Sequence, residues 1–309
     1  MATWLAALGL LLLAAPWLAG SMPESSADFI FWQLRVPRVL VAALVGASLG
    51  SIGAAYQALF ENPLATPSTT GTTAGAALGA LAAIVLLPSA GHVAVMMGAF
   101  AGAMGVSLPV AAWAARADTR IEDVLLAGVA MTLASGAVAT GLQVTADAQQ
   151  ALRAVQWSLG SVGQVGYAGV LLLAPTAVVV VAAIHYQRRA LAALVGGEER
   201  AASQGVDVVR MRTALLVVGC LGVGVAVAWC GPMAFVGLVV PHLVRQWVGP
   251  GRVDLPILSA VFGAGFLVLA DLVARWVIPG AELPVGVVTA LVGAPMLVGL
   301  VLRRRSGGR

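Results

Sequence analysis

The residues of this 309-residue chain that could do chemistry are few, and their spacing narrows what they can do. His92, His185 and His242 are scattered along the sequence, without the short ligand spacings that hold a metal ion. Cys220 and Cys230 share one apolar segment. Ten helical residues would separate them by about 15 Å, too far for a disulfide, so both read as packing residues. All 17 basic residues are arginine. A P-loop ATPase needs a lysine on its phosphates, and Schiff-base chemistry needs a lysine amine, so neither belongs to this chain. If ATP drives it, another chain hydrolyses the ATP. The sequence holds no Ser/His/Asp arrangement and no HExxH motif. One pair remains: Asp271 and Arg275, at i and i+4 within an apolar run. An acid inside a membrane span is a functional candidate by default, but a local pair that orients Arg275 is the simpler reading.

The elements that carry these residues are set by the composition. Hydrophobic residues make up 60% of the chain and charged residues 10%, against about 25% charged in a soluble domain. Mean hydropathy is +0.98, so the bilayer must be part of the solvent. The sequence predicts an all-α polytopic membrane protein of about ten spans, since each needs roughly 20 apolar residues. They fall near 3–20, 38–59, 68–87, 92–114, 121–143, 167–186, 211–230, 232–247, 255–277 and 283–302. The 37 glycines let helices approach closely. The first run lacks a basic n-region and is expected to be a retained helix rather than a signal peptide.

With ten spans and both termini in the cytoplasm, thirteen of the 17 arginines, Arg309 among them, lie inside, as the positive-inside rule requires. Arg35, Arg38, Arg153 and Arg275 face outward and call for a reason. Arg153 is read as a solvated loop residue. The segment 188–210 is the longest polar stretch on the inside. It is too small for a domain and suits a docking elbow, with two short helices flanking Gly205 and Glu198 and Glu199 near the start of one. The chain therefore reads as a single transmembrane domain over 1–309, with 188–210 as its cytoplasmic docking segment. The net charge of +4 is modest and asks for no nucleic-acid partner. A weak internal echo aligns Gly128 in LLAGVAMTL with Gly286 in LPVGVVTAL, on helices of opposite direction.

Three stretches carry the most specific patterns. In 32–80, RVPR opens a helix and ENPLATP breaks it; Pro63 drives Asn62 out of helical backbone. Irregular backbone at membrane depth is tolerated where protein buries it or water lines it, so this break reads either as a hairpin turn or as a constriction at the mouth of a pathway. The second is CGPMAFVGLVVPHLVRQWVG (230–249), and the third is LADLVARWVIPGAELPVGVVTALVGAPMLVGLVLRRR (269–305).

Together with GSVGQ near 160 and the elbow GGEERAASQGV, these stretches resemble, in order and from about residue 32 onward, the FecCD/BtuC-type permease family of iron-siderophore, haem and cobalamin importers. The resemblance implies a homodimer of ten-helix subunits in a bacterial inner membrane, enclosing a central passage. Its partners are two ATP-binding cassette ATPase subunits, a periplasmic or lipid-anchored substrate-binding protein and membrane lipid; no cofactor is implied. It places Arg35, Arg38 and Arg275 where the binding protein docks. Guanidinium suits that task through bidentate carboxylate pairing, the alternative being arginines that snorkel to lipid headgroups. It places Asn62 and Leu64 at a cytoplasmic gate, and Gly197, Glu198, Ala201 and Gly205 in the elbow that enters a cleft on the ATPase. The companion gate carries small hydroxyl residues in a cobalamin relative, where this chain has Ile121-Glu122-Asp123, so the second gate is left open. Glu122 also reads as an acid favoured at a helix N-terminus. His242 sits in a motif shared across substrates and reads as structural. An ion-coupled secondary transporter is the alternative. It would need several intramembrane acids or histidines, and Asp271 is nearly alone.

Overall fold

The computed structural model describes residues 2–18, 26–87, 89, 91–116, 118–163, 165–249, 251–278 and 281–306. Arg309, residues 19–20 of the first expected span and Gln164 of GSVGQ lie outside them. Among the described residues every regular element is helical. Helix α1 (Ala2–Leu18) is followed by α2 (Ala27–Phe29), a π-helical turn (Ile30–Arg35) and α3 (Val36–Leu59) without a break. Pro37 comes just after the π turn, at the point where the hydrogen-bond ladder changes register into α3. Then come α4 (Thr72–Leu86), α5 (His92–Ala114), α6 (Ile121–Val144), α7 (Ala148–Ser158) and α8 (Gly166–Tyr186). The elbow holds α9 (Arg188–Leu194) and α10 (Glu198–Ser203); α11 (Val208–Cys230), α12 (Val236–Val248), α13 (Leu255–Trp276) and α14 (Val285–Ser306) complete the chain.

Among the described residues, six stretches are long and apolar enough to cross a membrane: Ala27–Leu59, His92–Ala114, Ile121–Val144, Gly166–Tyr186, Val208–Cys230 and Leu255–Trp276. Ala6–Leu18, Thr72–Leu86 and Val285–Gly299 are shorter apolar helices. Helix α12 has 13 residues and rises about 20 Å, less than the ~30 Å hydrocarbon core. The chain is thus a multi-pass membrane protein.

Several local expectations are corrected. The span expected from 68 begins only at Thr72, because the residues before it form turns that end at Gly71 with φ +80°. Both short elbow helices precede Gly205 rather than flank it, and Gly205 (φ +82°) turns the chain into α11. Helix α7 was not expected. A capping box starts it, Asp147 accepting from the Gln150 N–H while the Gln150 side chain accepts from the Asp147 N–H. Arg153 therefore sits on a helix and not in a loop; it is exposed all the same.

The core is built around α3, whose Val41, Val45, Ile52, Tyr56 and Leu59 are fully buried. It packs against α13, α8 and α12. A Cβ at Gly46 or Gly263 would run into the backbone of the other helix, so the α3–α13 crossing depends on both glycines. The two glycines of the internal echo do one job. Each leaves room for the carbonyl of an irregular segment, Thr69 O at Gly128 and Leu159 O at Gly286. Between α11 and α12 the chain is irregular over 231–234. Gly231 (φ +70°) ends α11, and Phe235 enters α12 with φ +65°, an unusual value for a residue with a side chain. An added Cβ on Gly293 of α14 would clash with the Phe235 side chain, so the ring fills the hollow that this glycine leaves. Outward, α6 leaves Leu126, Leu133 and Val144 exposed, an apolar surface that lipid or protein must cover.

Candidate functional site

Two groups of polar residues stand at opposite ends of α3. Its 24 residues separate them by about 36 Å.

At the N-terminal end the π turn delivers Arg35 and the first turn of α3 delivers Arg38. Arg38 is 9% exposed, and its guanidinium is fully engaged. Nε donates to Asp271 Oδ1 at 2.9 Å and to Oδ2 at 3.2 Å. Nη2 lies 2.8 Å from Asp271 Oδ1, and Nη1 donates to Glu282 Oε2 at 2.7 Å. Asp271, 1% exposed, also accepts from Nη2 of Arg275. The i,i+4 pair read from the sequence is therefore present, but Asp271 serves Arg38 as well. Two arginines and two acids make the cluster neutral, and paired charges are the form in which burial is tolerable. Arg35 Nη1 donates to Pro16 O at 3.1 Å, near the end of α1. Glu282 differs from the rest: its side chain is 61% exposed.

Arg38 and Glu282 border a cavity of about 750 Å³, which Arg153, His92, Gln156 and Trp157 also line. Ser161 and Gly163 of the loop after α7 line one side. Ser161 N–H donates to Cys230 O at 2.7 Å, and Gly163 packs beside Arg38 Nη1. Of the three histidines, His92 is here, His185 is on α8, and His242 on α12 shares a 2.9 Å hydrogen bond with Gln246. The geometry does not bring them together.

At the other end, residues 60–71 form a chain of turns. Asn62 Oδ1 accepts from the Leu64 N–H at 2.9 Å, Thr69 Oγ1 accepts from the Thr66 N–H at 2.8 Å, and Glu61 takes φ +46°. Leu64 is 49% exposed. The turns are wedged between neighbours, Pro67 against Gly237 of α12 and Thr69 against Gly128 of α6. Nearby, Glu61 and Pro63 line a cavity of about 290 Å³ with the elbow's Arg188 and Leu191. Arg245 Nη2 donates to Gln57 Oε1 there at 3.0 Å. In the elbow, Gly197 (φ +95°) precedes Glu198, the first residue of α10, and Ala201 is fully buried. Glu122 and Asp123 lie in the first turn of α6, where the helix dipole favours acids.

Residues 5–303 match the FecCD transport family. The chain belongs to that family. Three permeases are among its relatives. The cobalamin import system permease BtuC of Halobacterium salinarum is 42% identical over 94% of this chain and 78% of its own length. The hemin transport system permease HmuU of Yersinia pestis is 35% identical over 89% and 84%. The uncharacterised ABC transporter permease YvrB of Bacillus subtilis is 38% identical over 91% and 80%. A solved structure described as an inward-facing, metal-chelate type ABC transporter superposes with a TM-score of 0.86 at 27% identity, covering 97% of this chain and 98% of that one. This FecCD-family chain is thus a permease of the ABC transporter type. Permeases of this family do not hydrolyse ATP; a separate subunit does so in the relatives.

Sequence reasoning missed Glu282 as a partner of Arg38, and it gave Asp271 only its neighbour on the same helix. A signal existed. Arginines in an apolar segment need counter-charges, and Glu282 stands in the ELPVG motif just after the span that holds Asp271.

Proposed function

We propose that this chain is the membrane subunit of a binding-protein-dependent importer that passes a metal chelate, cobalamin, haem or an iron-siderophore, across the inner membrane. It works as a homodimer of ten-span subunits with cytoplasmic termini, between two ATPase subunits and a substrate-binding protein. The observation that carries this reading is the two-ended arrangement along α3: buried arginines with one exposed carboxylate at one end, and a polar elbow beside an irregular turn at the other. Arg35, Arg38 and Arg275 form the docking face for acidic side chains of the binding protein. Asn62 and Leu64 form the cytoplasmic gate. Gly197, Glu198, Ala201 and Gly205 form the elbow that engages the ATPase. The exposed apolar face of α6 supports a second copy as its cover.

A proton- or sodium-driven mechanism draws no support from Asp271, because two arginines hold it. The test of docking is to replace Arg35 and Arg38 together with Glu and measure association with the binding protein. Weaker association is expected; unchanged affinity at low salt overturns the docking role. Titrating that binding protein with cobalamin, haemin and a ferric siderophore identifies the cargo.

A further inference from the structure

Arg212 enters the sequence reading only as one inside charge, yet it is 2% exposed, on the first turns of α11. Its guanidinium gathers three carbonyls. Nε donates to Ala114 O at 2.9 Å, Nη1 to Thr119 O at 3.0 Å and Nη2 to Arg116 O at 3.2 Å. Ala114 ends α5, and Arg116 and Thr119 belong to its connection to α6. The last carbonyls of a helix lack intrahelical partners, and a cation there also complements the helix dipole. A rigid fork of several donors can hold three such oxygens at once. On its other side, Arg212 Nη1 lies 3.8 Å from Glu198 Oε1. That oxygen is shielded from solvent and makes no hydrogen bond, and the separation exceeds a hydrogen bond. One guanidinium therefore touches both the elbow helix α10 and the α5–α6 connection.

The contacts continue from there. The connection leads into α6, where Gly128 receives Thr69 O, and Thr69 belongs to the turns that hold Asn62 and Leu64. We propose that Arg212 is the positioning residue through which the elbow moves the α5–α6 connection, and with it α6 and the turn at 60–71. The inference rests on the coupling and gate roles proposed above. Displacement of α10 changes the Glu198–Arg212 separation, and three directional hydrogen bonds make the connection follow the guanidinium. A greasy contact would slide instead.

The experiment uses the complex with its ATPase subunits in nanodiscs and a Leu64→Cys substitution probed with a fluorescent maleimide. Cys220 and Cys230 are buried, so the label reports position 64. The labelling rate is expected to differ between the nucleotide-free and ATP–vanadate states. Arg212→Gln is expected to keep the ATPases bound and hydrolysing while shrinking that difference about tenfold, the scale of one lost charge-assisted hydrogen bond. Arg212→Lys recovers part of it. An undiminished nucleotide response in Arg212→Gln overturns the tie. If Arg212→Gln fails to assemble, Glu198→Gln decides, because it leaves the three carbonyl bonds in place: a reduced response supports the tie and an unchanged one overturns it. Glu199→Arg, on the exposed side of α10, is expected to release the ATPases. ATPases retained there, or no nucleotide response from Leu64→Cys alone, remove the coupling or gate reading and the tie with it. An unchanged Arg212→Gln in a responsive complex removes the tie alone.

Discussion

Glu282 Oε2 lies 2.7 Å from Arg38 Nη1, at the border of the large cavity. An incoming carboxylate from a binding protein would therefore find Arg38 already occupied, by an acid that is itself 61% exposed. In the proposed docking, one carboxylate is then exchanged for another. Glu282→Gln should raise the affinity of the binding protein by about threefold, the worth of a partly exposed ion pair, and the gain should shrink as salt rises. Interferometry at two salt concentrations checks this; a loss of affinity would mean that Glu282 helps docking.

Asp271 is the buried counter-charge for both Arg38 and Arg275. Asp271→Asn removes it while both guanidiniums stay. The loss should be about 3–5 kcal/mol, as for other broken buried pairs, whereas Glu282→Gln should cost at most ~1 kcal/mol. Thermal unfolding of the detergent-solubilised protein, followed by monodispersity, gives the order of the two.

The α3–α13 crossing makes a sharp steric test. A methyl on Gly46 meets the Gly263 backbone, which has no flexible end to swing aside. Gly46→Ala should destabilise by at least ~1–3 kcal/mol. Gly105 of α5 has open space where its Cβ would go. Gly105→Ala should be neutral or stabilise slightly, by up to ~1 kcal/mol. Equal effects at the two positions would argue against the close crossing.

Cys220 and Cys230 are free and buried, and the Cys220 thiol packs against Thr70 and Thr72. Neither should react with a membrane-permeant maleimide in the folded protein, and both should react after denaturation. Mass spectrometry of the labelled protein reads the difference.

Much of the helical layout was legible because apolar runs bounded by Pro, Gly and charge leave the chain little choice in lipid. The boundary at Thr72 was not, because the Ser/Thr/Gly run before it carries no charge to mark an end, while its hydroxyls favour turns. Helix α7 was missed for the opposite reason: it is short and polar, and its signal is the cap at Asp147 rather than hydropathy. Of the site, Arg35, Arg38 and Arg275 were visible because the expected ten-span topology sets them against the positive-inside rule. Their partners were not. Glu282 and Asp271 lie more than two hundred residues from Arg38, and no local spacing reports such a contact. Arg212 was hidden too, because a charge at the inner ends of helices looks ordinary until its depth is known.

Phe235 holds its left-handed backbone, a strain of about 1–3 kcal/mol, beside a glycine on a different helix. The ring fills the hollow over Gly293 that any side chain there would need, so even a methyl at position 293 of α14 would press on the entry to α12.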